Sequence, residues 1–348
     1  MNRVALLCSA LLLVAAHPRA IDPHYLPVKA VGTYAFEVVQ PEGAGVLHYF
    51  GTGSLGGSPK IVMAIVNLHG LLRDADVYER VGEKVLAAGH AGDDTLLITP
   101  QFLASVDVTG HSLPPETLRW TVHSWLDGKP AEGPAPLTVF SVLDAIVQRL
   151  GDRTRFPALR EIVVIGHSAG GQVAHRYAVV GRAQEGIAKE GIGVRYVVAN
   201  PSSYVYFNRQ RPTANGGFAP YDAARCPAFD RWKFGFEDPP AYVDQAASWY
   251  ETRYVAENVT YLLGQLDVDP QHAELDRTCP AEAEGAYRFA RGLAYVRYIK
   301  MRHPNGTNQS RAEVAGAAHS ALDMFASACG LEVIFKRPRK DCKENERI

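Results

Sequence analysis

The 348-residue sequence has no surplus of basic residues. Its 36 lysines and arginines face 37 aspartates and glutamates, a formal net charge of −1. A nucleic-acid-binding chain normally carries a basic excess to neutralise phosphates, so that class is disfavoured and no nucleic-acid partner is expected. The chain also lacks runs long enough to span a bilayer. Even the apolar opening, Val4–Ala16, falls short of the roughly 20 residues a spanning helix needs, which argues against stable membrane insertion. Cysteine is scarce, with five residues and no C-x-x-C pair, which argues against zinc-finger and thioredoxin-like chemistry. No metal site is expected, and no internal repeat or low-complexity segment is present.

What is there begins with an export signature. In "MNRVALLCSALLLVAAHPRA" one arginine precedes the apolar run, and small residues follow at Ala15, Ala16 and Ala20. That pattern suits a signal peptide over residues 1–20, cleaved after Ala16 or Ala20, and a secreted (extracellular or periplasmic) mature chain. Cys8 leaves with the signal. The remaining Cys226, Cys279, Cys329 and Cys342 suit two disulfides in an oxidising compartment. Of three connectivities, Cys226–Cys279 with Cys329–Cys342 is favoured, because the second pair would pin an otherwise polar tail. Sequons at Asn258, Asn305 and Asn308 matter only in a eukaryotic host.

Residues 21–348 read as one domain. "TYAFEVVQ" and "VLHYFGTG" are two early strands. "GTGSLGG" formally matches G-x-G-x-x-G, but a strand follows where the dinucleotide fingerprint needs a helix, so it reads as a hairpin loop. From Ile61 onward, apolar strands ("IVMAIVNL", "TLLITPQF", "EIVVIG", "VRYVVANP", "VTYLLGQLD") alternate with helical segments such as Val77–Ala88 and Val139–Leu150. Nearly continuous apolar strands between helices imply a parallel sheet covered on both faces, an α/β fold. Two stretches break the rhythm. Thr109–Pro136 contains Trp120 and Trp125. The longer Pro201–Tyr250 holds twelve aromatic residues, more than a solvated loop can leave exposed. It reads as a cap insertion, with rings such as Tyr204 and Phe207 lining an apolar acyl or aryl pocket.

The chemistry centres on "IVVIGHSAGG", Ile162–Gly171. A buried strand runs into Gly166-His-Ser168-Ala-Gly170, a G-x-S-x-G turn, and a helix follows. That turn is sharp enough to need glycine two residues either side of the serine. A nucleophilic serine needs a base, an acid to orient the base, and donors for the developing oxyanion. His319 in "VAGAAHSALDMF" is the base expected, after a short late strand. His272 and His303 sit in polar connections and read as solvated surface residues, while His167 should point into the fold. The acid ends "VTYLLGQLDVDP". Asp267 is favoured over Asp269, which beside Pro270 could cap a helix instead. Ala169 supplies one oxyanion N–H. The strand ending in "VNLHGLLRDAD" offers Leu71 as the second, with His69 bracing the loop.

Taken in order, the "HG" loop, "GHSAGG", the G-x-x-D strand end and "GAAHS" resemble the α/β-hydrolase family in its secreted esterase/lipase-like branch, over about Ile61–Ala328. The resemblance implies an eight-stranded, mostly parallel sheet, a cap over the serine, no cofactor, and an acyl-serine intermediate. It carries Ser168, Asp267 and His319 over as the triad, with Ala169 and Leu71 as oxyanion donors. The loop departs from the family's glycine-rich form, reading His-Gly-Leu-Leu, and this leaves the second donor open. The expected activity is hydrolysis of a small-molecule or polymeric carboxylic ester. Amide cleavage and polyester depolymerisation are the near alternatives, and a non-catalytic binding protein is the distant one.

Overall fold

The computed structural model describes residues 22–338, 342 and 345–348; the expected signal peptide lies outside them. Eleven strands are formed among these residues: β1 (Tyr34–Gln40), β2 (Gly43–Gly51), β3 (Met63–Leu68), β4 (Thr95–Gln101), β5 (Glu161–His167), β6 (Gly193–Ala199), β7 (Gln210–Pro212), β8 (Phe218–Pro220), β9 (Asn258–Gly264), β10 (Gln309–Val314) and β11 (Asn345–Arg347). Nine make the central sheet, in the order β1-β2-β4-β3-β5-β6-β9-β10-β11. From β4 to β10 all neighbours are parallel. The β1–β2 hairpin and β11 join antiparallel at the two ends.

The parallel strands are apolar on both faces because both are covered, and successive side chains point to opposite sides. Along β5, Ile162 and Val164 enter one core while Val163 and Ile165 enter the other. The same alternation divides Val198 from Val197 on β6 and Leu263 from Leu262 on β9. The larger core takes residues of the helices Val139–Gly151, Ala169–Val180 and Arg288–Arg302, through Leu143, Tyr177 and Tyr295. The opposite core takes Val85 of the helix Ala75–Ala88 and Ile334 of the helix Ala328–Phe335.

Two expectations need correction. The sheet has nine strands where eight were expected, because the C-terminal tail adds β11 along the outer edge of β10. The Ile348 N–H then donates to the Gln309 carbonyl at 3.0 Å. An uncovered β10 would present a row of unpaired backbone groups; a three-residue polar strand that satisfies them has no apolar alternation to betray it. The glycine-rich stretch after β2 is not a hairpin loop either. It connects β2 to β3, which do not pair, since β4 lies between them.

The cysteines pair as Cys226–Cys279 and Cys329–Cys342, the favoured connectivity. The first bridge ties the aromatic insertion to the segment beyond β9. The second holds the tail near the helix Ala328–Phe335.

Candidate active site

Parallel sheets of this kind bind ligands at the carboxyl ends of their strands, and the loops after β3, β5, β6, β9 and β10 carry Leu71, Ser168, Asn200, Asp267 and His319. Ser168 follows β5 and precedes the helix Ala169–Val180, with φ 59° and ψ −118°. A positive φ is uncommon for a residue with a Cβ and is tolerated where surrounding structure enforces it. Its N–H donates to the Ala199 carbonyl at 3.0 Å, anchoring the turn to β6. The flanking glycines are steric necessities: a Cβ on Gly166 would stand 2.2 Å from the Gly170 carbonyl oxygen, and one on Gly170 would stand 2.2 Å from that of Leu68.

His319 lies in the loop between β10 and the short helix Ala321–Phe325. Its Nε2 is 2.9 Å from Ser168 Oγ, and its Nδ1 is 2.7 Å from Asp267 Oδ2. A carboxylate can only accept, so Nδ1 carries the proton and Nε2 is free to accept from the serine hydroxyl. Asp267 is 3% exposed and follows β9 in a turn closed by its N–H on the Gly264 carbonyl. Asp269 is exposed, and its Oδ1 accepts from the Gln271 N–H in a local turn. Of the two candidates, Asp267 is the one that meets His319. Burial lowers the His319 pKa below its usual 6.5; the hydrogen bond it donates to Asp267 opposes this, and the nearby Arg288 charge reinforces it. The ring is therefore neutral at pH 7.

Ala169 is the first residue of its helix, where an N–H has no intrahelical acceptor. Leu71 lies across from it and lines the same clefts as Ser168. His69 braces this loop as expected. Deep burial lowers its pKa to about 4, so it is neutral. Its Nδ1 donates to the Gly70 carbonyl at 2.8 Å, and its Nε2 accepts from the Phe102 N–H at 3.0 Å.

Several contributors escaped the sequence reading. Asn200, at the end of β6, accepts from the Gly264 N–H at 2.8 Å and donates to the Ala318 carbonyl at 3.3 Å. It thereby ties the strand end before Asp267 to the loop carrying His319. An asparagine closing a central parallel strand was the available signal. Arg288 is fully buried. Its Nη1 is 3.4 Å from Asp267 Oδ1, while Nε donates to Ser202 Oγ at 3.0 Å and Nη2 to the Glu274 carbonyl at 2.6 Å. A cation opening a helix runs against the helix dipole, a hint that a carboxylate waits nearby. His272, expected as a solvated residue, instead packs edge-on against the His319 ring at 4.9 Å. His167 does point inward, and its ring lies 4.4 Å from that of His319. His303 is elsewhere, bonded to Glu251.

The aromatic insertion does not line the pocket expected of it. Tyr204 and Tyr206 are fully buried and Phe207 is 6% exposed. Tyr204 stacks on Tyr295 at 4.5 Å, and Tyr206 meets Tyr298 at 4.6 Å, so these rings pack on the helix Arg288–Arg302. The cleft beside Ser168 receives only Ser202 and Lys233 from residues 201–250. Its remaining walls come from the start of the described chain, from residues 123–127 and from residues 273–278. The buried Arg73–Asp107 ion pair secures the first of these. Arg73 donates to the His24 and Leu26 carbonyls at 3.0 and 3.1 Å, and Asp107 accepts from the Val28 N–H at 2.8 Å. Among the described residues no group of three or more His, Cys, Asp or Glu side chains is arranged to hold a metal ion.

A sequence model described as the alpha/beta hydrolase family matches residues 65–326, most of the chain. The chain belongs to the alpha/beta hydrolase family. Solved structures agree on the fold. Poly(3-hydroxybutyrate) depolymerase LpqC of Bordetella parapertussis superposes with a TM-score of 0.59 at 17% identity, covering 92% of this chain and 95% of its own. Poly(aspartic acid) hydrolase-1 of Sphingomonas sp. KT-1 gives 0.57 at 19%, covering 86% and 96%. At such identities they speak for the alpha/beta hydrolase fold alone. No curated protein matches the sequence. As a member of this hydrolase family, the chain carries its serine turn on the strand at the centre of the sheet, with β3 and β6 on either side.

Proposed function

We propose that this protein is an exported serine hydrolase that cleaves carboxylic esters through an acyl-serine intermediate. The observation that carries the reading is the unbroken relay from Ser168 Oγ through His319 to Asp267, at 2.9 and 2.7 Å. In the first half-reaction Ser168 Oγ attacks the acyl carbon while its proton passes to His319 Nε2. Asp267 stabilises the resulting imidazolium, and the oxyanion rests on the N–H groups of Ala169 and Leu71. The bond to the alcohol breaks as His319 returns the proton to the departing oxygen. Water, activated by the same imidazole, then releases the acid and restores Ser168.

The substrate is a small or polymeric ester. The same reading takes residues 1–20 as a signal peptide and the compartment as extracellular or periplasmic, where both disulfides stay closed. No described helix is long and apolar enough to cross a membrane. The test is covalent labelling. A fluorophosphonate should label wild type at Ser168, and Ser168→Ala should stay folded while p-nitrophenyl acetate hydrolysis falls by at least about 10³-fold. Labelling elsewhere, or an active alanine variant, overturns the assignment.

A further inference from the structure

Ser168 stands between two cavities of unlike character. One, of about 330 Å³, runs along Leu71, Leu72, Val77, Val81 and Leu322 and contains His319. Leu72 and Val77, which also border a neighbouring cavity beside Leu26 and Pro27, are 38% and 39% exposed, enough aliphatic surface to receive an apolar group. Its carboxylates are Asp74, whose pKa burial raises to about 6, and Glu274 at the border. The other cavity, of about 450 Å³, contains Ala169 but not His319, and it is charged. Asp22, Asp127, Glu274 and Asp276 face a single lysine, Lys233.

The chemistry assigns a direction to these halves. His319 must hand its proton to the leaving alcohol, so the alcohol lies on the side that contains the imidazole. The acyl chain then extends past Ala169 into the charged half. There, Lys233 Nζ is held 3.4 Å from Asp127 Oδ1 and 3.5 Å from Asp276 Oδ2, so its charge is already matched. The His24 ring bridges Asp22 at 2.6 Å and Glu274 at 3.1 Å. His123, lowered by burial and by the neighbouring His24 and Lys233, is neutral. The lining carries four carboxylates against one lysine, while the buried Arg176 and Arg291 offset part of the charge of Asp127 and Asp276 from behind. The cavity is marked as a binding surface by Ser168, which opens into it, and the acids only decide what it takes.

Resting on the serine-hydrolase reading, we propose that the cleft selects esters whose acyl half carries a protonated amine and whose alcohol is apolar. A cation there meets carboxylates on both walls, while a fatty acyl chain would have to desolvate them without return.

The experiment uses the full mature chain and the p-nitrophenyl esters of Nα-acetyl-lysine, Nα-acetyl-norleucine and Nα-acetyl-glutamate, which share an aryl leaving group. The lysine ester should exceed the norleucine ester in kcat/KM by about tenfold at low salt, mostly through KM, and the glutamate ester should be the poorest. Addition of 0.5 M NaCl should narrow the lysine-to-norleucine ratio. Glu274→Gln and Asp276→Asn should each narrow it as well. Equal rates for lysine and norleucine sink the proposal, while Ser168 labelling and acetate-ester turnover keep the hydrolase reading standing. A preference for the glutamate ester inverts it and makes Lys233 the recognising group. If no ester is turned over and Ser168 stays unlabelled, both readings fall together.

Discussion

The turn at Ser168 and the Tyr204–Tyr206 rings of the aromatic insertion are both buried, but they tolerate change very differently. In the turn, backbone meets backbone: the space a methyl group would need at Gly166 or Gly170 is already filled by carbonyl oxygens, and one hydroxyl must sit 2.9 Å from one nitrogen. In the insertion, ring meets ring. Tyr204, Tyr206, Tyr295 and Tyr298 form a cluster with centroids 4.5–5.8 Å apart in stacked, tilted and edge-on pairs, a kind of contact that many aromatic sequences can make. The first region specifies an atom's position and the second supplies packing. Changes in the first should therefore destroy activity in a folded protein, and changes in the second should weaken folding while leaving substrate choice alone.

The largest effect that would sharpen this contrast lies at the acid. Asp267→Asn removes the carboxylate that fixes the His319 tautomer and should lower kcat by about 10⁴-fold, with far-ultraviolet dichroism unchanged. Asp269→Asn, two residues on and solvent-facing, should stay within about threefold. A reversal of that order would break the assignment of the strand end.

Next comes the insertion. Tyr204→Ala should cost about 3–5 kcal/mol in a denaturant titration. Any activity that survives should show the same relative KM for p-nitrophenyl acetate, butyrate and octanoate as wild type. A selective rise for octanoate would mean that the rings reach the cleft after all, and the comparison would collapse.

The two disulfides offer a smaller test of the same division. Chain-entropy estimates for loops of 53 and 13 residues give about 4 and about 3 kcal/mol respectively. Loss of Cys226–Cys279 should also raise KM, because Thr278 and Asp276 beside it line the cleft. Loss of Cys329–Cys342 should lower the melting temperature with KM and kcat retained.

The smallest effect is a pH shift. Catalysis needs neutral His319, and its pKa lies below 6.5, so kcat/KM should be level through neutrality and fall only as the pH drops below a midpoint under 6.5. His272 adds to that lowering by proximity and charge. His272→Ala should move the midpoint upward. An unmoved midpoint would make the ring a passive neighbour.

The sequence by itself determined the alternation of parallel strands and helices, the glycine-flanked serine turn, and the strand end from which the candidate acid emerges. These are legible because they arise from local constraints. Strand burial writes continuous apolar runs, the sharp turn demands glycine at Gly166 and Gly170, and the end of an apolar strand marks where an acid, Asp267 or Asp269, must emerge. Only the tertiary structure decided that Asp267 rather than Asp269 meets His319, since the two differ by which side of a turn they leave. It also decided that Arg288, Asn200 and His272 gather around the relay, that a polar tail completes the sheet as β11, and that the cleft is walled by Asp22, Asp127, Glu274 and Asp276 instead of by tyrosines. Each of those outcomes joins residues far apart in the chain, and side-chain type alone does not say which distant surface a ring or a carboxylate will meet. An aromatic residue buries itself against any complementary apolar face, so its abundance announced burial and left the partner to the fold.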